Sequence, residues 1–151
     1  MNPESSVLES GVLIVTGSTL RAEQADRPLA YRLQEAILNL LGGENSEEFD
    51  YNTIVLSDLW YLNSEPLHHL PMVSIGGPSI NAVSAHLSKK LPSVLVVDDT
   101  LLIQMDLTLQ DLRVCVWGDD HAATVDALNI FIHNGYLERF LQAVAARAQG
   151  L

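Results

Sequence analysis

Short apolar runs alternate along this chain with longer stretches in which apolar residues recur every three or four positions. Runs of this length are typical of buried strands, and recurrence at that spacing is typical of the buried face of a helix. The pattern predicts strands at residues 12–16, 53–56, 72–75, 94–97, 101–105 and 113–117. It predicts helices at 28–41, 78–91, 120–132 and 137–148, and it shows no clear period at 57–71, where a helical turn is left open.

Strands that alternate with helices indicate a mainly parallel sheet with right-handed crossovers and helices on both faces. Only Asp98-Asp99-Thr100 separates the runs 94–97 and 101–105, so these runs should pair as an antiparallel hairpin at one edge. We therefore expect a single α/β domain over residues 1–151, with a frayed start at 1–10. Its architecture should be a three-layer sandwich around a flavodoxin-like or Rossmann-like sheet.

Composition and charge narrow the range of partners. The chain is 48% hydrophobic and carries a formal net charge of −11, so it is an acidic, globular chain with few cations to neutralise a phosphate backbone. No apolar run approaches the roughly 20 residues that span a bilayer, and residues 1–11 lack the pattern of a signal peptide. If these residues are the complete chain, we expect a cytoplasmic protein that binds neither nucleic acid nor membrane.

The strongest local motif is Gly76-Gly77-Pro78-Ser79-Ile80-Asn81, which joins a predicted strand to a predicted helix. A glycine pair followed by Pro at the first helical position would gather backbone N–H groups and the positive end of a helix dipole. Such a turn favours a pocket for an anion or a polar ligand group. The alternative interpretation is that the glycines and the proline only allow a tight turn.

Two further loops should lie beside this turn. In the flavodoxin-like strand order 2-1-3-4-5 the first and third strands are neighbours, and their outgoing helices lie on opposite faces, which makes a switch point. The loop 17–26, the loop 76–81 and the turn that begins at Gly118 would then share the carboxyl edge of the sheet. The candidate ligand-binding residues are Gly17, Ser18, Thr19, Arg21, Gly76, Gly77, Ser79, Asn81, Gly118, Asp119 and His121.

No catalytic residue and no metal ligand is assigned. The chain lacks the Gly-x-Ser-x-Gly, Walker, Gly-x-Gly-x-x-Gly and His-Glu-x-x-His motifs. Asp119 and Asp120 are better explained as a helix N-cap and dipole partner than as metal ligands. His68 and His69 are adjacent and would point in opposite directions on a strand, which does not suit zinc.

The cysteine and the aromatic side chains that could take part in binding or catalysis are expected to be buried. Cys115 lies within the apolar run 113–117 and should be a core residue rather than a reactive thiol. We expect the aromatic residues Trp60, Tyr61 and Trp117 to lie in the core rather than to stack on the flat ring of a ligand.

The segment Val15-Thr16-Gly17-Ser18-Thr19-Leu20-Arg21, followed by Pro28-Leu29-Ala30, is similar to the start of NADPH-dependent FMN reductases and related flavodoxin-like proteins. Their pattern is Gly-Ser-x-Arg followed by Leu-Ala, and the similarity covers the first strand and helix. This resemblance implies FMN as a cofactor, with Ser18, Thr19 and Arg21 around its phosphate.

A second resemblance involves the later motifs. The segment 76–81, followed by a hairpin and then by Gly118-Asp119-Asp120-His121-Ala122-Ala123-Thr124, resembles the α/β domain of archaeal surface-layer proteins. Those domains carry the motif pair Gly-Gly-Pro-x-Asn and Gly-x-Asp-x-x-x-Thr, and the similarity covers about half of the chain in order. It implies a related fold and a non-catalytic role.

We expect a non-catalytic or small-ligand-binding α/β module whose site lies at the carboxyl edge and takes a polar or anionic ligand. An FMN-dependent reductase is one alternative, and a homo-oligomeric assembly module is another. The last two helices carry more apolar residues than one helical layer must bury, which predicts a homodimer through them. The residues concerned are Val125, Leu128, Phe131, Ile132, Leu137, Phe140, Leu141 and Val144.

Overall fold

A computed structural model describes residues 11–41 and 53–150 of the chain. The strands in this part are β1 Val12–Thr16, β2 Thr53–Ser57, β3 Met72–Ile75, β4 Ser93–Val97, β5 Leu101–Met105 and β6 Arg113–Gly118. The α-helices are α1 Leu20–Ala25, α2 Arg27–Leu41, α3 Asp58–Leu62, α4 Ala82–Leu87, α5 His121–His133 and α6 Tyr136–Ala148. A 3-10 helix spans Glu65–His69.

The six strands form one sheet in the order β2-β1-β3-β6-β5-β4. The first four strands of this order are parallel, and β5 is antiparallel to both β6 and β4. Helices α2, α5 and α6 cover one face, and α3 and α4 contribute to the core on the other. Side chains of β1 alternate between the two cores, with Ile14 in the first and Leu13 in the second. The predicted three-layer α/β sandwich is confirmed.

The predicted edge hairpin is also confirmed, and it changes the strand order from the expected one. Asp98 and Asp99 have φ of 51° and 56°, and the N–H of Thr100 donates to the carbonyl of Val97 at 2.9 Å. Left-handed conformations at both central positions match the twist of a tight hairpin. The chain returns from this hairpin to β6, so β6 rather than β4 lies beside β3.

The helices differ from the prediction in three places. The expected loop 17–26 contains α1, which begins where the Thr19 hydroxyl accepts a hydrogen bond from the N–H of Ala22 at 3.2 Å. The helix expected at 78–91 begins only at Ala82, after a turn, and already ends at Leu87. Residues 57–71 hold both α3 and the 3-10 helix. The expected frayed start at 1–10 lies outside the described residues.

The apolar residues that suggested a homodimer are mostly core residues of the chain itself. Leu128, Phe131, Leu137 and Phe140 have no exposed surface, because α5 and α6 pack on the sheet and α2. Leu141 and Val144 are also buried, while Val125 and Ile132 are half-buried. The premise that these helices carry surplus apolar surface was therefore wrong.

Other predictions of burial have mixed outcomes. Cys115 is buried as expected, and desolvation raises the pKa of its thiol to about 12. Tyr61 is also buried, and Trp117 packs at the border of the same core. Trp60 is 66% exposed, so its expected place in the core was wrong. Within 11–41 and 53–150, no helix combines the length and hydropathy needed to cross a membrane.

Candidate functional site

The ends of β1, β3 and β6 bring the three predicted loops together at one edge. These strands are neighbours and parallel, so their carboxyl ends point the same way. Gly17 approaches the next loop so closely that an added Cβ would overlap the carbonyl oxygen of Ile80. A Cβ on Gly77 would lie 3.2 Å from the ring of Trp117. The glycines at these turns therefore allow the loops to touch.

A pocket of about 110 Å³ lies where the three loops meet. Its lining includes six of the predicted site residues, namely Arg21, Gly77, Ser79, Gly118, Asp119 and His121. It also includes Asp26, Asp120 and Thr124, which were not among the candidates. The five other predicted residues, Gly17, Ser18, Thr19, Gly76 and Asn81, do not line it. The structure thus places the pocket toward α5 rather than at the start of α4.

Asp26 is the most unusual residue of this pocket. It lies between α1 and α2 and is only 2% exposed, and its Oδ2 has no hydrogen-bond partner among the described residues. Burial raises the pKa of this carboxyl, while the positive charges of His121 and Arg21 oppose the rise. A Cβ on Gly76 would lie 2.8 Å from the same Oδ2. A glycine at position 76 thus leaves room for the carboxyl group.

The opposite wall of the pocket is the first turn of α5. The side chain of Asp120 accepts a hydrogen bond from the N–H of Ala123 at 2.8 Å, which confirms its predicted role as N-cap. The Thr124 hydroxyl accepts from the N–H of Gly118 and donates to the carbonyl of Asp120, both at 3.0 Å. These bonds lock β6 to α5. The part of the chain described contains no group of three or more acidic, His or Cys residues that would hold a metal ion.

The start of α4, which the sequence suggested as an anion site, is already occupied by the chain's own carboxylate. Asp58 Oδ2 accepts from the N–H of Ala82 at 2.8 Å. Asn81 Oδ1 accepts from the N–H groups of Val83 and Ser84 at 2.9 and 3.1 Å. The helix start expected at Pro78 was wrong, because α4 begins at Ala82 and its first N–H groups are bound within the chain. Binding of an anion at the turn 76–81 stays a prediction.

Asp58 also holds the loop after β1. Its Oδ1 accepts hydrogen bonds from the Ser18 hydroxyl and from the N–H of Leu59, the latter at 2.7 Å. Asn81 Nδ2 donates to the carbonyls of Val15 at 3.3 Å and Ile75 at 2.9 Å. These two side chains join the carboxyl ends of β1 and β3. Ser18 and Asn81 are thus bound within the chain.

The residues implied by the FMN reductase resemblance do not form a phosphate site. Ser18 donates to the Asp58 carboxylate, Thr19 caps α1, and Arg21 lines the pocket on the other side of the edge. A carboxylate beside Ser18 would repel a phosphate. The described geometry therefore does not fit FMN at these three residues.

Sequence reasoning missed both buried aspartates of this edge. Asp26 was only the boundary of a loop, and Asp58 began a segment without a clear period. A signal was present for Asp58, since Ser57-Asp58 follows a strand as a helix start often does, and Ser57 does accept from the N–H of Trp60 at 3.2 Å. The tertiary partners of Asp58 lie 24 and 40 residues away, beyond any local pattern.

The histidine pair lies outside this pocket. His68 and His69 lie in the 3-10 helix, and Nε2 of His68 lies 2.7 Å from the carbonyl oxygen of Tyr61.

No protein-family model matches this chain, and no curated protein matches it either.

Proposed function

We propose that this protein is a non-catalytic α/β module that binds a small polar ligand in the pocket of Arg21, Asp26, Ser79 and His121. The observation that carries the proposal is the Asp26 carboxyl, which is buried beside an open space and has an oxygen without a partner among the described residues. Buried polar atoms are nearly always hydrogen-bonded, and those that are not often mark a functional site. Oδ2 is itself enclosed beside Gly76, so a bound ligand would supply the missing partner after the carboxyl group rotates.

The size of the pocket restricts the ligand. The pocket measures about 110 Å³. Pockets for drug-sized molecules measure about 300–1,000 Å³. The pocket therefore suits a very small molecule, or the polar end of a larger one.

The chemistry at the pocket supports binding rather than a covalent reaction. Cys115 is the only cysteine of the chain, and it is buried in the core with a raised pKa, away from the pocket lining. The Thr124 hydroxyl is engaged with Gly118 and Asp120. Arg21 and His121 are exposed and can meet a ligand without activating a nucleophile.

Amide NMR tests this proposal directly. The N–H signals of Gly77 and Gly118 should shift saturably when free glycine, acetate, methylammonium, glycolate or glycerol is titrated into the protein. Ser79 is exposed at the pocket, so Ser79→Phe should abolish the shifts by filling the space. Ala82→Phe is a matched control, since Ala82 is exposed nearby but does not line the pocket. Silence of both reporters with every probe would refute the proposed function.

The two alternatives from the sequence have separate tests. For a flavin reductase, the purified protein should be yellow or should take up added FMN, and the arrangement of Ser18, Thr19 and Arg21 leads us to expect neither. For a homodimer, light scattering at micromolar concentration measures the mass. The homodimer stays a prediction, but the apolar residues that suggested it no longer support it, because they are mostly buried.

A further inference from the structure

The lining of the pocket carries groups of both charges. The Asp26 carboxyl is nearly enclosed, and its Oδ2 has no donor among the described residues. An enclosed carboxylate is stabilised most by a cationic donor, because a charged partner offsets the cost of removing it from water. The carboxyl torsion of aspartate is broad, so either oxygen can turn toward a ligand. An ammonium group offers three N–H donors in a small volume.

Two other lining residues favour a negative group. Arg21 is exposed at the pocket, and its guanidinium presents donors that match the geometry of a carboxylate. His121 is exposed as well, lines the same pocket and is the first residue of α5. The charges of both residues lower the pKa of Asp26.

The remaining charges limit how negative the ligand is. Asp119 and Asp120 also line the pocket and are exposed. Together with Asp26 they outnumber Arg21 and His121, so a dianion such as phosphate would meet net repulsion. A ligand whose own charges cancel avoids this cost while still meeting groups of both signs.

On the basis of the proposed function, we infer that the ligand class is a small zwitterion, an ammonium next to a carboxylate as in the smallest α-amino acids. The ammonium binds Asp26, and the carboxylate faces Arg21 and His121. The volume of about 110 Å³ suits a small molecule of this kind or the zwitterionic end of a longer one. Free glycine and free alanine are the probes of matching size.

The first test compares matched probes on the wild-type protein. Free glycine and free alanine should shift the N–H signals of Gly77 and Gly118 at lower concentration than acetate or methylammonium, each of which carries only one of the two charges. Equal half-saturation for acetate, methylammonium and free glycine would overturn the zwitterion and leave binding at the pocket intact. If no probe moves either signal, the proposed function fails with it.

Variants then test the two contacts, that of the ammonium with Asp26 and that of the carboxylate with Arg21. Asp26→Asn should weaken binding of free glycine by about tenfold to a hundredfold, the range for a lost hydrogen bond between charged partners, and should not weaken binding of acetate. Arg21→Gln should weaken both free glycine and acetate. Arg139→Gln is the matched control, since Arg139 is exposed on α6 and does not line the pocket. Unchanged binding of free glycine by Asp26→Asn would overturn the assignment.

A measurement on the unmodified protein guards against loss of folding in the variants. The side-chain carboxyl of Asp26 can be titrated by carbon NMR, with Arg21, His121, Asp119 and Asp120 as the charged groups around it. Saturating free glycine should lower the pKa of Asp26, because an ammonium stabilises its charged form, whereas acetate should not lower it. A pKa that does not fall with free glycine would overturn the proposed contact.

Discussion

Two buried aspartates stand at the same edge of the sheet and have opposite surroundings. Asp58 is 4% exposed and accepts hydrogen bonds from Ser18, Leu59 and Ala82. Asp26 is 2% exposed and has an Oδ2 without any partner in the described residues. Burial alone therefore does not show whether a carboxylate is hydrogen-bonded within the chain. The two aspartates differ in the number of their oxygens that have a partner.

The contrast explains why one side of the edge is closed and the other open. Asp58 neutralises the start of α4 and ties it to the loop after β1, so no ligand is needed there. Asp26 sits opposite the start of α5, which is capped by Asp120 instead. Asp120 caps α5 from the residue that precedes the helix, so the start of α5 is not tied to a distant segment as the start of α4 is. The pocket beside α5 therefore stays open.

The largest expected effect follows from removing the satisfied carboxylate. Asp58→Ala should lower the free energy of unfolding by about 3 kcal/mol, because it leaves the N–H groups of Leu59 and Ala82 without their acceptor. For a chain of this size that corresponds to a fall in Tm of about 6–12 °C. Urea unfolding followed by circular dichroism measures both.

Asp126→Ala serves as the control for this change, since Asp126 is exposed on α5. It should alter the free energy of unfolding by no more than about 0.5 kcal/mol. If the two variants lost the same stability, the network around Asp58 would have no special weight and the comparison of the two aspartates would collapse.

Removing the unsatisfied carboxylate should have the opposite sign. Asp26→Asn should raise the free energy of unfolding by about 1–2 kcal/mol at neutral pH, because a buried charge without a partner is costly. The pKa of Asp26 is raised by burial above its ordinary value of 3.8, so the wild-type protein loses stability as pH rises through this window. The Asp26→Asn variant should not lose stability in this way, because its side chain does not titrate.

Unfolding measured across the pH range checks the sign. The advantage of Asp26→Asn should be greatest above the folded pKa of Asp26 and should vanish below 3.8, where the wild-type carboxyl is protonated in both states. A constant difference at every pH would mean that the Asp26 carboxyl does not titrate abnormally.

The predictability of the edge follows the same division. Strands β1 and β3 were predicted within a residue because a buried parallel strand is a continuous apolar run, visible locally. The meeting of three loops followed from the parallel order of their strands. The short helix α1 was missed because six residues show no period. The roles of Asp26 and Asp58 depend on contacts between distant segments, which no local pattern encodes.

The smallest effect concerns a second unsatisfied atom. Thr16 ends β1, is fully buried, and has an Oγ1 without a partner in the part of the chain that is described. Thr16→Val keeps the shape and removes the hydroxyl, so the free energy of unfolding should rise by about 0.5–1 kcal/mol. Equilibrium unfolding measures the effect. Val15→Thr serves as the comparison, because it adds a hydroxyl at a buried neighbouring position. A destabilised Thr16→Val would show that the hydroxyl is satisfied in solution.

The contact of Gly17 with the carbonyl of Ile80 has an evolutionary consequence. Any side chain at position 17 would have to push that carbonyl away and separate the loops after β1 and β3. Position 77 has a milder constraint, because its neighbour is the edge of the Trp117 ring. Among descendants that keep this fold, glycine at 17 should therefore persist, whereas alanine should appear at 77 whenever the residue at 117 becomes smaller.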